Sequence, residues 1–177
     1  GFIDRFGPKP QDVELLLDRV IKRQPPSGPE EIEALVNLYD GEVAYVDEQI
    51  GRFLNELQRR SLFDPSLIMI TADHGEAFFE HGYWQHSDTL YEEMIRVPLA
   101  VKWPAQTALQ RVSAHASQLD LFPTILEAAG IPSPFAQGRS LTTYRKAEAE
   151  GSAARVVSET IWRSPERNHM KVAVRRG

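Results

Sequence analysis

The 177 residues hold 20 Lys and Arg against 25 Asp and Glu, a net charge of −5, with 42% hydrophobic and 25% charged residues. Such a chain can bury ~70% of the surface it exposes when unfolded, and it has no overall basic field for nucleic acid. It contains no cysteine, which excludes disulfides, thiolate metal sites and a cysteine nucleophile within this sequence, and no apolar run reaches membrane-spanning length.

In chain order, "PKPQDVELLLDRVIKRQ" predicts a helix with Val13, Leu16, Leu17, Val20 and Ile21 on one face. "PPSGPEE" breaks it, and Ser27 with Glu30 has the spacing of a capping box. A long helix should follow, because Ile32, Leu35, Tyr39, Val43, Val46, Ile50, Phe53 and Leu57 recur at threes and fours. "LFDPS" is a turn. "SLIMITA" is short, apolar and uncharged, the pattern of a central strand covered on both faces in a parallel sheet. Helix followed by strand is half of a βαβ unit, so the expected class is α/β.

Downstream, "TLYEEMI" predicts a short helix with Thr89 and Glu92 at capping-box spacing, and "RVPLAVKWP" a second strand near a sheet edge. "QLDLFPTILEAAG" predicts a compact helix from Asp120 to Gly130. "IPSPFAQGRSL" reads as loop, "TTYRKAEAEGSAA" as polar and exposed, and "RVVSETIW" and "MKVAVRRG" as strands. The sequence opens on Gly1 without a signal peptide, and its last strand stops where a hairpin would continue. The expectation is a piece of a longer domain.

Three of the five histidines fall in "ITADHGEAFFEHGYWQH", residues 70–86. In open α/β sheets ligands bind beyond the carboxyl ends of strands, where Asp73 and His74 stand. Both can ligate a divalent cation, which would offset the cost of a carboxylate at a dry strand end. Against this stands a plain alternative: Asp73 caps the next segment and His74 is an ordinary loop histidine. His86 fits a second metal ligand, a donor to a bound anion, or a surface residue. His81 fits a structural role near Glu80. A serine triad from Ser87, His86 and Asp88 is disfavoured, because adjacent side chains diverge and no nucleophile elbow is present. His115 and His169 have no such company, and Trp84 and Trp103 read as packing residues.

Taken together, "LYDGEVAYVDEQIGRFLNEL", "SLIMITADHGEAFFEHGYWQHSDTLYEEMIRVPLAV" and "QLDLFPTILEAAGIP…GRSL" resemble the second half of a sulfatase of the alkaline-phosphatase-like superfamily, over roughly residues 35 to 141. "GFIDRF" resembles the segment before the long helix in such enzymes. The resemblance implies a three-layer α/β/α sandwich. Residues 1–141 would be the C-terminal part of its catalytic domain, and 142–177 a linker and the start of a small antiparallel C-terminal sheet.

It further implies one divalent ion, calcium first with manganese or zinc as alternatives, whose late ligands match Asp73 and His74. His86 would act on the sulfate as catalytic and substrate-binding residue, with His81 as a further substrate-binding candidate. Many members carry lysine where this chain has His86. The family nucleophile is a formylglycine made within C/S-x-P-x-R, a motif this sequence lacks along with the early acidic metal ligands, so the chain alone should be inactive. Arg96 and Asp47 read as structural ties. The implied partner is a small-molecule or carbohydrate sulfate ester, with no nucleic acid and no membrane segment, in a periplasmic or extracellular setting. Two rivals remain: a zinc phosphodiesterase or phosphoethanolamine-type transferase of the same superfamily, and a non-catalytic binding module.

Overall fold

The computed structural model describes residues 13–86, 89–132, 134–147, 155–163 and 168–176. The chain divides into two units, Gly1–Asp64 with Gly75–His86, and Pro65–His74 with Ser87–Gly177. "GFIDRF", the prolines at 8 and 10, and residues 148–154 lie outside the described residues.

In the first unit, helix α1 spans Val13–Ile21. Of the five residues predicted on one face only Leu16 is buried, while Leu17 and Ile21 are exposed. The covered stripe is the narrower Val13–Leu16–Val20 spacing. Helix α2 spans Pro29–Arg59, with Gly28 as its N-cap and Pro29 in the first turn. The predicted pairing of Ser27 with Glu30 is therefore displaced. Proline's locked φ suits the first helical position, and Glu31 is the residue that reaches back, accepting from the Ser27 N–H at 2.7 Å. Hydrogen bonds from Ser27, side chain first and then backbone, hold the Glu31 carboxyl below the usual range, with Arg19 adding to them. Arg19 Nη1 sits 3.4 Å from Glu31 Oε2 and links the two helices.

The predicted seam of α2 is only partly covered. Ala34 and Gly41 are buried, but Val43, Val46 and Phe53 are at least half exposed. A 3.6-residue period reports the face a helix can bury, not what lies against it. Part of that face meets a hairpin made of β2, Ala77–Phe78, and β3, Trp84–Gln85. Ala77 opposes Gln85 and Phe78 opposes Trp84. The Phe78 ring meets Tyr39 of α2 edge-on, 5.2 Å between centroids, and Ala77 is 2% exposed. At the tip, Gly82 takes φ +76° and its N–H donates to the Phe79 carbonyl at 3.1 Å.

The second unit holds β1, Ile68–Thr71, paired with β4, Leu99–Lys102. Ile68 opposes Lys102 and Thr71 opposes Leu99, so the pair is antiparallel. The parallel partner expected for β1 is not among the described residues, and β1 is half-buried rather than covered on both faces. A four-residue apolar run carries no information on strand direction, and mixed sheets commonly bear an antiparallel edge.

Helix α3, Glu92–Ile95, is one turn long and starts at an extended Tyr91 without a side-chain cap, so Thr89 does not cap it as predicted. Thr89 is buried instead. A 3-10 turn, Gln118–Asp120, runs into α4, Leu121–Ala128. The cap lies three residues earlier than predicted: Ser117 and Asp120 form a reciprocal capping box. At the other end Gly130 (φ +69°) donates to Glu127 and Ile131 to Leu126, a Schellman closure.

Asp120 is 3% exposed. Its Oδ2 accepts from the Ser117 N–H at 2.8 Å and the Tyr144 hydroxyl at 2.7 Å, and its Oδ1 from the Arg139 N–H at 2.7 Å. Thr124, fully buried, donates to the Asp120 carbonyl and accepts from the Leu141 N–H. The segment read as polar and exposed after residue 141 is thus docked: it begins helix α5, Thr142–Ala147, and Tyr144 is buried with Leu141 against Val101, Trp103, Ala114, Ala116 and Leu121. Strands β5, Arg155–Arg163, and β6, Asn168–Arg176, pair antiparallel as predicted. No described helix is long and apolar enough to cross a membrane.

These contacts set three measurable outcomes. Gly138 has φ +86°, and an added Cβ would stand 2.5 Å from the Leu119 carbonyl oxygen. Gly138→Ala should cost about 2 kcal/mol or more in urea unfolding. A double-mutant cycle on Tyr39 and Phe78 should return a coupling of ~0.5–1.5 kcal/mol, and zero coupling would show that the ring contact does not hold the hairpin. Burial, then the hydrogen bond to Asp120, pushes the Tyr144 hydroxyl above the usual tyrosine range. The folded state keeps that proton where the unfolded chain releases it, so stability is intact below the ordinary tyrosine pKa and falls as pH rises through the folded value. Alkaline denaturation of wild type and Tyr144→Phe checks this, because the substituted chain should lose that limb.

Candidate functional site

Strand β1 ends at Thr71, and the chain leaves it through Ala72 to Asp73 and His74. The turn is tied by Gln118, whose Nε2 donates to the Ala72 carbonyl at 2.7 Å and the Asp73 carbonyl at 2.9 Å. Gln118 is in place because the Ser117–Asp120 capping box winds the 3-10 turn that carries it. Two main-chain acceptors at the strand end are thereby satisfied without a further strand.

Asp73 Oδ1 accepts from the His74 N–H at 3.0 Å, and the same oxygen stands 3.8 Å from His74 Nε2. The Asp73 side chain is 89% exposed and that of His74 43%. The carboxylate therefore caps the next N–H and also faces the imidazole. Two donors to one cation, each at 2.0–2.6 Å, lie ~3–4 Å apart. The 3.8 Å spacing fits a shared ion, and the exposure of both groups leaves room for more ligands. Among the described residues no group of three or more His, Cys, Asp or Glu that could hold a metal ion converges.

In the other unit, His86 Nδ1 lies 3.0 Å from Glu76 Oε2. The pair extends the hairpin register by one step beyond Ala77–Gln85. Opposed residues on antiparallel strands interact directly. Gln85, just before His86, takes φ +63°, a left-handed backbone that is uncommon outside glycine and costs energy unless held. Its side-chain Nε2 donates to the Val20 carbonyl at 2.6 Å, tying it to the last turn of α1.

His81 lies on the exposed tip of the hairpin, beside Glu80, whose Oε2 accepts from the Phe78 N–H at 2.6 Å. Arg96 lies on the surface, 4.0 Å from Glu92, and Asp47 is on the exposed side of α2. Ser87 and Asp88 lie outside the described residues.

The structure thus brings Asp73 to His74, and Glu76 to His86. Sequence reasoning placed Glu76 within the resembling motifs without a chemical role and did not single out Gln118. Glu76 was within reach, because a hairpin turning at "EHGY" with Phe78 opposite Trp84 sets Glu76 opposite His86. Gln118 was not, since its partners are main-chain carbonyls 45 and 46 residues away.

Comparison with known proteins places these pairs in context. The family model described as Sulfatase matches residues 8–131. An N-acetylglucosamine-6-O-sulfatase from Bacteroides thetaiotaomicron is 38% identical over 117 residues, covering 65% of this chain and 21% of that protein. Arylsulfatase K from Gallus gallus is 35% identical over 103 residues, 58% of this chain and 19% of its own length. The chain therefore spans about a fifth of the curated relatives it matches. Among solved structures, a phosphonate monoester hydrolase from Silicibacter pomeroyi superposes with a TM-score of 0.72 at 31% identity, covering 81% of this chain and 28% of that one. The fold is that of alkaline-phosphatase-like enzymes. Because the family match takes in well over half of the residues, in the order the motifs demand, this chain belongs to the sulfatase family.

Proposed function

We propose that this chain is part of a metal-dependent sulfuric ester hydrolase and contributes the late ligands of its ion, Asp73 and His74. The observation that carries the reading is the 3.8 Å approach of His74 Nε2 to Asp73 Oδ1 at the end of β1, within a sulfatase-family sequence. A bound divalent ion, with calcium as first choice and manganese or zinc as alternatives, would supply charge to an ester oxygen and orient a nucleophile.

This chain's own residues do the holding. Asp73 brings negative charge, His74 a neutral nitrogen, and Gln118 clamps the main chain from which both project. His86 is proposed as the contact to the anionic group, giving or taking a proton at the ester. His81, out on the hairpin tip, is proposed as a weaker substrate contact. A carbohydrate sulfate ester is the proposed substrate class, supported by the 38% identity to an N-acetylglucosamine-6-O-sulfatase. No C/S-x-P-x-R motif occurs in the 177 residues, so the chain by itself is proposed to be inactive.

A second reading is phosphoryl chemistry, favoured by the likeness to the phosphonate monoester hydrolase. The residues encoded before Gly1 discriminate: C/S-x-P-x-R means sulfuryl transfer, and a threonine in the nucleophile's place means phosphoryl transfer.

Calorimetry with calcium, manganese and zinc tests the ion site on wild type and Asp73→Ala. With only two protein ligands the wild type should bind weakly, and the substitution should weaken binding at least about tenfold. Identical isotherms for the two proteins would remove the metal reading and leave a binding module in its place.

A further inference from the structure

Helix α2 carries an apolar stripe that the described residues leave largely open: Val43 is 51% exposed, Val46 50% and Phe53 60%. Apolar side chains exposed singly are ordinary, but a continuous row of them marks a contact surface. With Ile50 these residues follow one another at intervals of three, four and three, the spacing that keeps a row on one helix face for ~15 Å. Towards the start of the helix the row runs on into Tyr39, where the Phe78 ring is already seated.

The borders of the stripe are acidic. Asp40 and Asp47 flank it on one side, Glu42 and Glu56 on the other. Glu56 is engaged by Arg59 and Arg60, whereas Asp40, Glu42 and Asp47 make no ion pair among the described residues. Arg52 is paired with Glu48. Flanking charges choose the partner of such a stripe. A second copy of this helix would set acid against acid in either orientation, so the pattern selects an occupant with Lys or Arg beside its apolar face. The extent of the family match gives the source. The Sulfatase model takes in the whole of α2, so the helix belongs to the shared domain and is no appendage. This chain nevertheless covers only 28% of the phosphonate monoester hydrolase it superposes on.

We infer that Val43, Val46, Ile50 and Phe53 form the docking surface for the part of the sulfatase-family protein outside these 177 residues, and that the segment seated there is apolar and bordered by Lys or Arg. The inference rests on the reading of this chain as part of a larger hydrolase.

Thiol labelling tests it, since the 177 residues contain no cysteine. Val46→Cys puts a thiol on the stripe, and Asn55→Cys puts one on the opposite face as a control. In the 177-residue chain both should react at similar rates at every protein concentration. In the protein lengthened by the residues encoded before Gly1, labelling is read by mass spectrometry of the peptide that holds each position. There Val46→Cys should react at least about tenfold more slowly, with Asn55→Cys unchanged. Adding Asp47→Lys should speed the slowed reaction at least about threefold, because a basic neighbour is then repelled. Equal labelling of the two positions in the lengthened protein overturns the inference. So does slow labelling of Val46→Cys in the 177-residue chain: at all concentrations the stripe is covered from within, and at high ones alone a second copy sits on it. A rate unmoved by Asp47→Lys overturns the basic border. Should the 177-residue chain lack a dispersed amide spectrum, the contrast between the two positions in the lengthened protein decides. The ion-binding comparison with Asp73→Ala does not involve the stripe, so failure there and failure here can be told apart.

Discussion

Asp120 is an ionisable group almost wholly removed from water, and such a group is tolerated only when its oxygens are saturated with donors. Here the donors come from both sides of α4: the Ser117 N–H before it, and the Arg139 N–H and Tyr144 hydroxyl beyond it. That requirement folds residues 138–144 back over the start of the helix, which brings the Gly138 backbone so near Leu119 that no side chain fits. It also sets the pitch of the 3-10 turn on which Gln118 rides, and Gln118 holds the carbonyls of Ala72 and Asp73. A structural carboxylate therefore governs the main chain beneath the candidate one. The two have opposite environments. Asp120 is saturated with donors from its own chain, whereas the Asp73 side chain is 89% exposed and its carboxylate accepts from the neighbouring His74 N–H.

Most element positions were legible because they rest on local chemistry. The 31-residue helix, the apolar strand ending in Asp-His, and the last two strands announce themselves by period and by breaker residues. What escaped was whatever depends on a distant partner. The run 68–71 reads as buried strand, yet nothing in it says that Leu99–Lys102 will lie antiparallel beside it. Capping was predicted one to three residues away from where it occurs, since several Ser, Thr, Asp and Glu compete for the same short windows and Pro29 or an extended Tyr91 settles the choice. Tyr144 looked like part of a polar surface because its burial follows from a hydrogen bond to Asp120, 24 residues earlier.

The candidate site divides in the same way. Asp73 and His74 were readable as adjacent residues at a strand end, and their side chains approach to 3.8 Å. His86 was readable as a residue, but its pairing with Glu76 was not. Its partner Glu76 is set by hairpin register, a long-range fact even though only ten residues separate the two.

That partner bears on what an imidazole offers at a proposed anion contact, compared with a lysine. A lysine ammonium donates from three hydrogens and keeps its charge, so it serves one purpose: holding an anion. An imidazole instead accepts on one nitrogen when neutral and donates from both when charged. In a chain of net charge −5 without a general basic field, a fixed cation would bind an anionic ester more simply. A histidine backed by Glu76 gives up some of that attraction in return for a proton that can move. In the role proposed for His86, such a pair would suit handling a proton at an ester oxygen as well as charge pairing, for sulfuryl and phosphoryl groups alike.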